Sequence, residues 1–345
     1  MCCTSAYAGK ISVSKDVNIT GVVTGSYVYV KNAGAVADAD GNGVVDADKT
    51  NDRIEASDVS IGIDSGDTKV GEIGYIAVFG TRNAHGVFDS TAANTLGWGD
   101  NVVLDFGYVT YKPVDKVTFD IGWILPTAGG EASPSWLNGN FYRGFLWNSE
   151  PAAFRGMRLS YEVSDALGVS VEFNHDGTQS TKTNGGNFAV AASGSAGPVD
   201  YGVTYFDGYK GRNMIDVLVN SSFGNIDVGV NVDYFLIDDE GKSAGQKDDS
   251  AYGAALFVTP KMGMFEIPVR LEYVSDGDTG VYSYFGTATK TGQSVTVTPT
   301  LKVGKNAFVR AEVAFTKTDG KTFLENDGTA TDSQMSFATQ IGYTF

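Results

Sequence analysis

The chain has 345 residues, with Lys+Arg 25 against Asp+Glu 41 and a net charge of −16. So acidic a balance argues against nucleic-acid binding, because phosphates need a basic footprint. Two adjacent cysteines, Cys2 and Cys3, exclude a disulfide framework and a cysteine zinc site, and two histidines, His85 and His175, leave little for acid–base or metal chemistry.

Glycine (44), tyrosine (17) and phenylalanine (20) are plentiful, and hydrophobic residues reach 42%. Yet no run approaches the about 18 apolar residues of a membrane helix. That profile suits an all-β secreted chain, or a transmembrane barrel whose hydrophobicity is hidden by alternation. At the start, Ala6-Tyr7-Ala8 has the A-x-A form of a secretory cleavage site. Residues 1–8 are therefore expected to be the tail of a signal peptide begun further upstream, and 9–345 a single barrel domain.

Strand 1 is predicted over 17–31, with Val17, Ile19, Val23, Tyr27 and Tyr29 on one face and Asn18, Thr20, Thr24 and Ser26 on the other. The loop after it contains Asp38-Ala39-Asp40-Gly41-Asn42-Gly43-Val44-Val45-Asp46-Ala47-Asp48-Lys49. Asp38, Asp40, Asn42 and Asp46 place oxygens at positions 1, 3, 5 and 9 around a Gly at 6, which is the logic of a calcium loop. Lys49 holds the position of the bidentate carboxylate, so only Asp48 could substitute. Calcium bound at 38–48 is one expectation, and a solvated acidic loop is the other.

Strands 2 (52–63) and 3 (69–80) follow, then a series of hairpins. Val102-Leu104-Phe106-Tyr108 is answered by Val117-Phe119-Ile121-Trp123-Leu125 and Met157-Leu159-Tyr161-Val163 by Val169-Val171-Phe173. The pattern continues through Tyr252-Ala254-Leu256-Val258 to Met335-Phe337-Thr339-Ile341-Tyr343-Phe345. The count is sixteen strands. Seven tight turns (64–68, 113–116, 164–167, 194–198, 223–225, 260–263, 304–306) alternate with eight polar, mostly long loops, among them 126–154. An even number of long strands with short and long connections alternating describes an antiparallel up-and-down outer-membrane barrel. Soluble strands average about 5–6 residues, shorter than these. Tyr75, Phe79, Tyr108, Trp123, Tyr161, Tyr205, Tyr234, Tyr273 and Phe345 cap the apolar faces where interfacial girdles belong. Pro268 and Pro299 fall inside two strands and imply bulges or a misplaced register.

The third long loop carries the most specific stretch. Asn138-Gly139-Asn140-Phe141-Tyr142-Arg143-Gly144-Phe145-Leu146-Trp147 leads into Glu150-Pro151-Ala152-Ala153-Phe154-Arg155-Gly156-Met157-Arg158-Leu159-Ser160-Tyr161 and the turn Ser164-Asp165-Ala166-Leu167. This resembles the OmpL-like β-barrel porins of Gram-negative bacteria, with Arg143, Pro151, Gly156, Arg158 and the turn as matching positions. A histidine typical of that family is absent, so no role is carried over for it. The resemblance implies a third loop folded into the lumen at its narrowest point. Arg143, Arg155 and Arg158 would then face Asp105, Asp120, Glu131 and Glu150 across a constriction, or pin the loop to the wall.

If the apolar face meets lipid, the other face lines water. On it thirteen acids (Asp58, Glu72, Asp105, Asp120, Glu162, Glu172, Asp200, Asp216, Asp227, Asp233, Glu266, Glu272, Glu312) stand against four bases (Arg158, Arg270, Lys302, Arg310). Sixteen strands leave an aqueous channel, and an acidic lumen concentrates cations. The leading expectation is therefore a cation-preferring porin for ions and small hydrophilic solutes in the outer membrane. No cofactor is required for that role, and no enzymatic activity is expected. Phe345 on the last residue looks like an assembly signal for the outer-membrane insertion machinery, and porins of this size are commonly homotrimers. The rivals are a structural or adhesive barrel without an open channel, and an outer-membrane hydrolase using His85 or His175. Neither histidine has a nucleophile elbow nearby.

Overall fold

A computed structural model describes residues 11–14, 17–32, 52–81, 102–132, 135–151, 153–175, 186–209, 212–238, 242, 248–277, 279–282, 289–325 and 329–345. Period-two alternation produces sixteen antiparallel barrel strands. The first seven are β1 (Val17–Lys31), β2 (Asp52–Glu55 and Val59–Asp64), β3 (Ile73–Thr81), β4 (Val102–Val114), β5 (Val117–Ile124), β6 (Phe154–Ser164) and β7 (Leu167–Asn174). Next come β8 (Asn187–Ala196), β9 (Val199–Tyr209), β10 (Arg212–Phe223), β11 (Ile226–Ile237) and β12 (Ser250–Met262). The last four are β13 (Phe265–Glu266 and Val269–Ser275), β14 (Thr291–Val297 and Thr300–Val303), β15 (Ala307–Thr318) and β16 (Ser333–Thr344). Each pairs with the next, and β1 pairs with β16 from Val22↔Thr344 to Lys31↔Met335, so the sheet closes on itself. Closure removes the unpaired edges that a bilayer would not tolerate.

The seam is sealed at the chain end. The Phe345 N–H donates to the Gly21 carbonyl and the Gly21 N–H to the Phe345 carbonyl, at 3.0 and 2.8 Å. A short strand, Ile11–Ser14, pairs with β1 at Ile11↔Ile19 and continues the line of β16 beyond Phe345. At the tight-turn end, 115–116, 165–166, 197–198, 224–225 and 263–264 are two-residue connections. Hairpin twist asks for positive φ there, which glycine supplies at Gly197, Gly224 and Gly263 (φ 62, 63 and 63°).

The faces separate as a membrane barrel requires. Leu159, Val171 and Phe173 are about half exposed on the outside, while Glu172, Thr204 and Asp216 are buried within the ring. Three expectations change. Glu72 lies in the longer 65–72 turn, because β3 begins at Ile73, so it does not line a strand face. In β4 the register to β3 passes from Val78↔Phe106 to Phe79↔Leu104, leaving Asp105 as an extra, bulged residue. The bulge inverts the phase: Thr110 meets the inward Asp120, and Tyr108 packs against the inner core instead of the lipid girdle. Pro268 and Pro299 sit in the interruptions of β13 and β14. There their carbonyls accept the Thr298 and Ala311 N–H groups, at 2.9 and 3.1 Å.

Candidate functional site

The connection between β5 and β6, residues 125–153, turns inward and fills the middle of the barrel. Among its described residues are a 3-10 turn, Ser135–Leu137, and a short helix, α1 (Phe145–Ser149). Its apolar residues Phe141, Tyr142, Phe145 and Leu146 are fully buried. They join inward-facing Val28, Val30, Phe206, Met214, Phe235 and Val274 of the wall in one hydrophobic cluster. Those wall residues break the polar inward face on the loop-side halves of their strands. Burying them under the loop removes from water a lumenal apolar surface worth roughly 25 cal/mol per Å².

Charge then fixes the loop. The Glu312 carboxylate accepts the backbone N–H of Phe141 through one oxygen and of Tyr142 through the other, the latter at 2.8 Å. Glu272 accepts the Phe145 N–H and Glu131 the Gly144 N–H, each at 2.7 Å. A Cβ at position 144 would run into both carboxylates and force them to shift, so glycine is what lets them close on the loop backbone. The fully buried Arg270 guanidinium ties the set together. It bonds to Glu131 at 2.5 Å, Glu272 at 3.0 Å and the Tyr142 carbonyl at 2.7 Å. Arg310 donates to Gln340 at 2.9 Å and to the carbonyls of Asn138 and Ser135 at 3.0 and 3.2 Å. Desolvation raises the Glu131 pKa despite Arg270.

Of the arginines expected at a constriction, Arg143 is buried inside the loop. It stacks 4.2 Å over the Trp147 ring and donates to the Ala132 carbonyl. Burial lowers its pKa to about 10, against the pull of Asp58, Glu131 and Asp105, so it stays charged at neutral pH. Arg158 sits on the wall, ion-paired with Glu172 at 2.7 Å, and donates to the Leu125 carbonyl at the loop's first residue. It lies directly across the β5–β6 pair from the buried Asp120. Arg155 does not join them. It belongs to the outward face with Met157 and Leu159, its guanidinium 5.6 Å from the Trp123 ring. Arg155 and Arg158 are three positions apart, an odd spacing that puts them on opposite faces of one strand. Glu162 is exposed at the turn end, its N–H bonded to the Lys116 carbonyl, well away from the loop.

Glu150, Arg270, Arg310 and Glu312 are all at the loop–wall boundary, and Asp105 acts on it through Arg143. The structure adds Glu272, Asp58, Asp216 and Asp233, which the sequence marked only as lumen acids. Ser135 donates to Asp58 at 2.5 Å, and Glu150 lies against Asp216 and Asp233. Beneath the loop, toward the tight turns, a cavity of about 480 Å³ is bordered by Glu131, Asp200, Asp227, Lys261, Glu266 and Lys302. Lys302 pairs with Glu266 at 2.7 Å, and Lys261 with Asp227. Asp38, Asp40, Asn42, Asp46 and Asp48, the segment 1–8 and His85 lie outside the described residues.

Comparison with solved structures finds this architecture in other outer-membrane barrels. The OmpF of Salmonella typhi in complex with daunomycin superposes with a TM-score of 0.63 at 12% identity, covering 98% of this chain and 100% of that one. In-vitro folded OmpT, an outer-membrane protein of Vibrio cholerae, gives 0.62 at 13%, covering 98% and 100%. An anion-selective porin from Comamonas acidovorans gives 0.60 at 13%, covering 95% and 99%. These likenesses concern the fold. No curated protein matches the sequence. The model of the family described as "Putative beta-barrel porin-2, OmpL-like" matches residues 16–345. With nearly the whole chain inside that match, the protein belongs to the OmpL-like β-barrel porins of the outer membrane.

Proposed function

We propose that the barrel is a narrow, water-filled channel for passive diffusion of ions and small hydrophilic solutes, with a preference for cations. The observation that carries this is a closed sixteen-stranded ring with acidic residues in excess on its inner side. Asp58, Asp120, Glu172, Asp216, Asp233, Glu266, Glu272 and Glu312 face inward, and Asp200 and Asp227 border the cavity beneath the loop, against Arg158, Arg270, Arg310, Lys261 and Lys302. Such a lumen lowers the energy of a cation and raises that of an anion. Family membership supports a channel over a hydrolase. Delivery by the outer-membrane insertion machinery and assembly as a homotrimer are part of the same reading.

The deep seating of the third loop favours a small conductance. Single-channel recording of the refolded protein in a planar bilayer, under a salt gradient, tests the proposal. Discrete steps with a cation-selective reversal potential are expected. Anion selectivity would overturn the preference, and a verified barrel that never conducts would leave a plugged, structural or adhesive barrel. Replacing Arg158 by Ala removes the tie at Leu125 and should add flicker to the open current. Unchanged current from Arg143→Ala and Arg158→Ala together would deny both arginines a part in the constriction.

A further inference from the structure

Where the third loop returns to β6, Glu150 meets two carboxylates of the wall. Asp216 of β10 and Asp233 of β11 are direct cross-strand partners on the inward face. One oxygen from each of the three lies within 4.8 Å of the others. All three side chains are more than nine-tenths buried: Glu150 is 7% exposed, Asp216 1% and Asp233 0%. No arginine or lysine among the described residues bonds to any of them. Asn231 donates its amide to Asp216 at 2.7 Å and to Asp233 at 3.3 Å. Two oxygens inside the cluster, Glu150 Oε1 and Asp233 Oδ2, have no hydrogen-bond partner among the described residues. A buried anionic oxygen without a partner is costly, and three carboxylates at this spacing repel one another strongly. The cluster therefore needs a cation or shared protons.

We propose that Glu150, Asp216 and Asp233 form a calcium site that clamps the third loop to the β10–β11 wall. The donor set is all oxygen, which suits hard cations and offers nothing to zinc or copper. Oxygens that lie within 4.8 Å of one another can all be reached by one ion with bonds of about 2.4 Å, the calcium distance. Magnesium requires tighter octahedral bonds and usually keeps several waters, so a cage of protein carboxylates suits calcium better. Bound calcium bridges loop and wall directly and cancels two of the three repelling negative charges. This site shares no residue with the acidic loop at 38–48 and does not depend on the protein being an open channel.

Calorimetric titration of calcium chloride into the chelator-treated, detergent-folded barrel tests the clamp, with unfolding temperatures measured in calcium and in EGTA. The expected result has three parts. Calcium binds and raises the unfolding temperature. Glu150→Gln with Asp233→Asn abolishes both effects in a barrel that still folds, since each change is isosteric and relieves repulsion. A variant with Asp38, Asp40, Asp46 and Asp48 replaced by Asn keeps the temperature shift. If calcium neither binds nor shifts unfolding, or if the shift survives the double substitution, the proposal is overturned and the cluster holds protons instead.

Discussion

Two residues show how much of the site is a balance of buried charge. Arg270 has no exposed surface and is shared by Glu131, Glu272 and the Tyr142 carbonyl. Removing one member of a buried ionic set leaves the others uncompensated, which typically costs about 3–5 kcal/mol. Arg270→Met is expected to lower the unfolding temperature clearly, and adding Glu131→Gln and Glu272→Gln should recover part of the loss. Glu150 acts in the opposite sense. Burial first, then Asp216 and Glu131, push its pKa well above the ordinary 4.5. A carboxyl raised on folding contributes stability that is fully present below its unfolded value and lost as pH rises through its folded value. In EGTA, Glu150→Gln should therefore be more stable than the unsubstituted protein at neutral pH. The two unfolding curves should converge as the pH approaches 4.5.

At the scale of elements, the strands were legible because lipid outside and water inside impose one period on every span. Where parity held, the faces were right: Thr24 and Ser26 inward, Leu159, Val171 and Phe173 outward. It failed at the Asp105 bulge, since one inserted residue leaves no mark in a pattern as apolar as Phe106-Gly107-Tyr108. Arg155 is a different case, because its odd spacing from Arg158 was readable from the sequence itself. The inward loop was legible only through the family resemblance. Its seat is a tertiary arrangement, in which Val28, Phe206, Phe235 and Val274 come from strands far apart in the chain. The β4 bulge gives a direct test. In a background with Cys2 and Cys3 replaced by Ser, Tyr108→Cys should react with a charged, membrane-impermeant thiol reagent in the lipid-embedded barrel. Leu104→Cys should stay protected. Protection at both positions would restore an unbroken register, which places residues four apart on the same lipid-facing side.

For the whole molecule, the acidic lumen has to act through carboxylates that water and ions can reach, and most do not qualify. Glu312 and Glu272 are buried and occupied by loop N–H groups. Asp200 and Asp227 border the cavity beneath the loop, Asp200 exposed and Asp227 half-buried. Selectivity should therefore depend on the mouth of the channel more than on its deepest charges. Asp200→Asn with Asp227→Asn is expected to reduce the cation preference, whereas Glu312→Gln should disturb loop stability and current noise more than the reversal potential. Salt supplies an independent check. The screening length falls from about 10 Å at 0.1 M to about 3 Å at 1 M. A field from charges at a water-filled mouth should weaken accordingly, so the cation-to-anion permeability ratio should be largest in dilute salt and shrink toward unity in concentrated salt. A ratio indifferent to salt would place the selective charges in a dry, unscreened constriction and return the weight to the buried carboxylates.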